Sequence, residues 1–132
     1  MLRSDGTIAA CGDNGRGRCN VPALGEDMTY YTQVAEGGYH SLVLRSDGTV
    51  AAYGVNDRGQ CSVPALGEDL TYYTQVVAGL YHSLMLRSDG TIAACGANGN
   101  ARCNVPALGE DLTYYTKVAA GGYHSLNVRS DG

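Results

Sequence analysis

The 132-residue sequence contains no tryptophan and no phenylalanine, so whatever core it builds must be filled by tyrosine, leucine, valine and alanine. Such a core is thin. The chain has 9 Lys and Arg against 13 Asp and Glu and no basic cluster. The electrostatic footprint that phosphate backbones require is missing, and no nucleic-acid partner is expected. No apolar run approaches the ~20 residues of a membrane-crossing helix, so no membrane partner is expected either. The chain opens Met1-Leu2-Arg3-Ser4-Asp5-Gly6, without the pattern of a secretory leader, and its five cysteines (Cys11, Cys19, Cys61, Cys95, Cys103) are an odd number. Both features point to a reducing, cytoplasmic location.

Self-similarity is abundant. Leu2-Arg3-Ser4-Asp5-Gly6-Thr7 returns at Leu44, at Leu86 and in part at Val128, a spacing of 42 residues. The chain, residues 1–132, is one array of units 2–43, 44–85 and 86–127, with 127–132 duplicating 1–6. The first and third units differ at seven positions, the first and second at eleven. No linker or second domain separates them.

Within a unit, His40–Arg45 and Thr49–Gly54 are short apolar-rich runs around Ser46-Asp47-Gly48, which predicts a tight β-hairpin. Tyr72–Val77 has β-branched and aromatic character and forms a third strand. A short outer strand is expected at Cys61-Ser62-Val63, ended by Pro64. No segment keeps a helical period, so the fold class is all-β: four-stranded antiparallel sheets, one per unit, that must pack against their neighbours.

Residues 34–59 read Val-Ala-Glu-Gly-Gly-Tyr-His-Ser-Leu-Val-Leu-Arg-Ser-Asp-Gly-Thr-Val-Ala-Ala-Tyr-Gly-Val-Asn-Asp-Arg-Gly. The order Gly-x-x-His-Ser-x-x-Leu, a Gly turn, then Val-x-x-Trp-Gly-x-Asn is the hallmark of the RCC1-like repeat, and all three units resemble it. The resemblance implies β-propeller blades of the compact bacterial type. Cys11, Tyr53 and Cys95 stand where the family carries tryptophan, which implies looser packing between blades. WD40 propellers have a similar period, but no Trp-Asp pair can exist in this chain.

Three units do not complete a ring of about four to eight blades, whereas six do. The array is therefore expected to close as a six-bladed homodimer, with a nine-bladed trimer as second choice. In that joint, His124, Ser125, Leu126, Asn127 and Val128 of one copy pair with Thr7, Ile8, Ala9, Ala10 and Cys11 of the other. One of the two Arg-Ser-Asp-Gly copies at the ends is then displaced.

Residue chemistry points away from catalysis. His40, His82 and His124 recur in Tyr-His-Ser-Leu and are read as packing residues whose ring nitrogens satisfy backbone groups, although a ring of imidazoles could also hold a metal. Ser41, Ser83 and Ser125 follow them, but adjacent residues of a strand face opposite ways, so each serine is turned from its neighbouring imidazole. The Asp-Gly pairs lack the alternating ligands of a calcium loop and read as turns, with the neighbouring arginines as solvated decoration. Gly25-Glu26-Asp27 and its repeats form an acidic spot suited to solubility. Cysteines eight residues apart do not fit a zinc knuckle, and the glycine-rich loop after Gly12 lacks the end of a phosphate-binding loop. No catalytic residue, metal or cofactor is assigned.

That loop varies most between units. Asp13, Arg16, Val55, Arg58, Ala97 and Asn100 are its candidate partner contacts. The expected function is a non-enzymatic, self-assembling propeller scaffold, natural or engineered. The alternative implied by the resemblance is a regulator acting through protein contacts, either a small-GTPase exchange factor or a bacterial enzyme inhibitor. A hydrolase is a third reading.

Overall fold

The computed structural model describes residues 2–9, 15, 20, 21, 24, 29–66, 71–97, 103–105 and 114–130. Eight strands follow one another: β1 (Tyr31–Glu36), β2 (His40–Arg45), β3 (Val50–Gly54), β4 (Tyr73–Ala78), β5 (His82–Arg87), β6 (Ile92–Gly96), β7 (Tyr115–Ala120) and β8 (Ser125–Arg129). They form antiparallel sheets in the orders β1-β2-β3, β4-β5-β6 and β7-β8. No helix among the described residues is long and apolar enough to cross a membrane.

The hairpins form where the Ser-Asp-Gly signal predicts them, and the turn chemistry explains why. Gly48 N donates to Arg45 O at 3.0 Å and Arg45 N to Thr49 O at 2.9 Å. The Asp47 carboxylate accepts from the Thr49 amide at 3.0 Å and the Thr49 hydroxyl at 2.7 Å, locking the loop. Gly48 has φ 83°, the left-handed conformation that closes such a three-residue turn, and a side chain there would strike Tyr72 Cβ. The Asp89 turn repeats these contacts.

The expected fourth strand is a correction. Residues 61–66 are not a strand, so the first two sheets are three-stranded among the described residues. Ser62 N turns back to Gly59 O and Val63 N to Cys61 O, which spends the donors a ladder would need.

Alternation along the middle strands sends successive side chains to opposite sheets. Leu42 and Leu44 of β2 pack with Tyr73, Val76, Met85 and Ala93 of the second sheet. One step on, Leu84 and Leu86 of β5 pack with Tyr115 and Val118 of the third. The first and second sheets each thus bury a forward face on the back of the next sheet.

Candidate interaction surface

Among the described residues nothing covers the forward face of the third sheet. Leu126 and Val128 stand 62 % and 46 % exposed, whereas Leu42, Leu44, Leu84 and Leu86 at matching positions are 0–6 % exposed. Tyr123, at 55 %, extends the patch. Burying an exposed Leu or Val yields about 2 kcal/mol, so this face is a strong local driving force for association.

Besides the loop bonds from Gly38 N to Gly79 O at 3.2 Å and from Leu80 N to Gly122 O at 3.3 Å, three polar devices register one sheet on the next. The first is a backbone link: Tyr31 N, Tyr73 N and Tyr115 N donate to Gly6 O, Gly48 O and Gly90 O at 2.8, 2.8 and 2.9 Å. The second is a glutamine bridge. Gln33 Nε2 donates to Thr74 O at 3.0 Å while its Oε1 accepts from Val76 N at 3.3 Å, and Gln75 Oε1 accepts from Val118 N at 3.3 Å. Lys117 stands at the third such position. An ammonium accepts nothing, so the bridge cannot be repeated there.

The third device was not foreseen in the sequence. His40 Nε2 lies 2.7 Å from Ser83 Oγ, and His82 Nε2 lies 3.1 Å from Ser125 Oγ. Each imidazole turns from its sequence neighbour, as alternation requires, and meets the serine of the next unit. Ser83 Oγ donates to Gln60 O at 2.8 Å, so it accepts from His40, which is the Nε2–H tautomer. Burial first, and the nearby His82 second, push the His40 imidazole down to about 4. A side chain at Gly37, Gly79 or Gly121 would collide with the ring three residues on, which explains the Gly-x-x-His spacing.

This geometry suits a clamp better than a base. The Ser83 proton is committed to a carbonyl, and the imidazole donates to the hydroxyl instead of withdrawing a proton from it. Among the described residues, no group of three or more His, Cys, Asp and Glu side chains comes together to hold a metal ion.

Of the expected joint residues, Thr7 is held by the Asp5 carboxylate through its amide and hydroxyl at 3.0 and 2.7 Å, contacts that keep this acid below its usual range. Ile8 pairs antiparallel with Leu2, and Ala9 is half-buried beside it. Ala10 and Cys11 lie outside the described residues. His124 is exposed, Ser125 receives His82, and Asn127 pairs with Val118.

Of the loop residues, Asp13, Arg16 and Asn100 lie outside the described set. Val55 N and Ala97 N donate to Tyr39 O and Tyr81 O, each at 2.9 Å. Arg58 lies 4.4 Å over the Tyr81 ring, and Tyr81 stacks on Tyr39 with centroids 5.1 Å apart and planes 15° from parallel. The loops therefore meet a tyrosine row with one tyrosine per unit. Of the turn arginines, Arg3 is exposed as expected, whereas Arg87 is half-buried and sits 5.8 Å over Tyr73.

Residues 31–60 and 73–102 each match the regulator of chromosome condensation (RCC1) repeat. No curated protein sequence matches the chain. Human WBSCR16 is 27 % identical, with a TM-score of 0.65 over 79 % of this chain and 32 % of its own. Prp20p of Saccharomyces cerevisiae is 19 % identical, with a TM-score of 0.73 over 88 % of this chain and 38 % of its own. The ectodomain of the Physcomitrella patens receptor kinase CR4 is 21 % identical, with a TM-score of 0.63 over 92 % of this chain and 32 % of its own. The chain spans about a third of the length of each of these structures.

Proposed function

Because RCC1 repeats occupy 31–60 and 73–102 and the sheets stack as neighbouring propeller blades, we propose that this protein is a non-enzymatic scaffold that works through protein contacts. It closes its open edge on a second copy and offers its outer loops, Val55 and Arg58 above all, to a protein partner. One observation carries this reading: the bare Leu126 and Val128 face is the same surface that the chain buries twice within itself, each time on another copy of its own repeat. A further copy is the occupant that this internal packing supports best.

Two copies make a ring of six sheets and three a ring of nine, the smaller falling within the usual range for propellers. Native mass spectrometry of the 13.8 kDa chain at micromolar concentration should give the dimer mass. A monomer throughout the concentration range would overturn self-assembly.

A regulatory role is the second reading. Prp20p is described by its binding to Gsp1p and histones, and a comparable protein contact here would use one specialised face. The near-interchangeable units favour the scaffold. Recovery of one stoichiometric protein partner with the loop face, lost on Arg58→Ala, would support the regulator.

A further inference from the structure

Self-assembly through the open edge leaves unsaid where the two copies exchange chain. Resting on that reading, we infer that the joint forms at Ile8, where the Val128 strand of a second copy replaces the chain's own Leu2. Each internal hairpin closes on the pair Leu44↔Val50 or Leu86↔Ile92. Leu2↔Ile8 is the same pair one unit earlier. Val128 is the counterpart of Leu44 and Leu86, so in a joined sheet it must face Ile8. That place is taken.

Among the described residues, the two end turns between them show the contacts that a single internal turn makes alone. The Ser46 turn reaches back to its own sheet, with Ser46 N donating to Tyr30 O at 2.7 Å and Tyr30 N to Ser46 Oγ at 3.1 Å. It also reaches forward, through Gly48 O and Tyr73 N. At the C-terminal turn the backward contacts are present: Ser130 N donates to Tyr114 O at 2.7 Å and Tyr114 N to Ser130 Oγ at 3.2 Å. At the N-terminal turn the forward contact is present, from Tyr31 N to Gly6 O at 2.8 Å, with Gly6 buried under Tyr30.

A joined turn keeps both sets by taking Arg129 and Ser130 from one copy and Gly6 onward from the other. The segment that gives way is Leu2–Asp5. Its hold is local: Arg3 N donates to Thr7 O at 2.7 Å, Gly6 N to Arg3 O at 3.0 Å, the Asp5 carboxylate accepts from the Thr7 amide and hydroxyl, and Arg3, Ser4 and Asp5 are exposed. In return, the incoming strand buries Leu126 and Val128. The N-terminal turn is thus a resident competitor for the site of assembly.

The test compares the full chain with a form lacking Leu2–Asp5 and with Arg3→Pro, which removes the amide that holds Thr7 O. Sedimentation velocity across a concentration series should show both variants dimerising more tightly, the deletion by about tenfold or more because none of the Leu2–Asp5 hydrogen bonds is left to compete, and Arg3→Pro by less because it removes one of them. Arg129→Pro, at the equivalent place in the other copy of the turn, should weaken the dimer. Circular dichroism confirms that each variant keeps its sheets. Unchanged or weaker dimerisation by both N-terminal variants overturns the exchange at Ile8 while leaving self-assembly standing. If the full chain and all variants stay monomeric, the assembly reading falls and takes this joint with it.

Discussion

At Gly79 a missing side chain does structural work. A Cβ there would collide with the His82 ring and with the Gly121 carbonyl, so the imidazole reaches the third sheet only because this residue is glycine. Gly79→Ala should cost about 1–3 kcal/mol, the usual penalty for overpacking, read from the urea midpoint. Gly122→Ala is the control, since the nearest atom to its Cβ is Leu80 Cβ at 4.0 Å. The buried His40 also makes stability depend on pH. Its folded-state value, about 4, lies below the ordinary 6.5, so the unfolded chain binds more protons between those values. Its contribution is complete above pH 6.5 and is lost as pH falls toward 4, at most about 3 kcal/mol. Urea titrations from pH 7 to 4.5 should show this slope, and His40→Gln should flatten it. An unaltered slope in the variant would place the pH response on other groups.

At the scale of single strands, β8 carries the departures. Asn127 takes the register place held by Val43 and Met85, both 0 % exposed, and its Oδ1 is buried with no hydrogen bond among the described residues. Asn127→Met should therefore raise stability by about 1–2 kcal/mol, the cost of an unsatisfied buried polar atom, measurable as a shift in denaturation midpoint without a change in slope. The hairpins were legible in the sequence because Ser-Asp-Gly turns and alternating apolar residues act within a few positions of one another. The run Cys61-Ser62-Val63 misled because its residues suit a strand equally well, and only local turn bonds to Gly59 and Cys61 decide against it. The His40 to Ser83 contact was hidden for a different reason. Alternation excluded the adjacent serine correctly, but says nothing about a serine 43 residues away. The repeated tyrosine before each histidine was the available signal for the Tyr39–Tyr81 row, since one identical residue per unit on stacked sheets must form a column.

At the scale of the whole molecule, the registering bonds among the described residues join a sheet to its immediate neighbour. The links from Gly48 to Tyr73, Gln33 to Thr74 and His40 to Ser83 each step forward by one unit. Stability in such an array is a sum of unit and nearest-neighbour contributions. The proposed joint between copies would add a neighbour of the same kind, and the melting temperature should then rise with protein concentration, as measured by calorimetry over a hundredfold range. Modularity of this sort makes subunit number a quantity that can be edited. Excising 44–85 and splicing Val43 to Leu86 keeps unit-to-unit contacts of the same kind while leaving two sheets' worth of chain per molecule. The proposed six-sheet circle would then take three molecules instead of two, and the change from even to odd stoichiometry would be read from the mass of the assembly relative to its subunit.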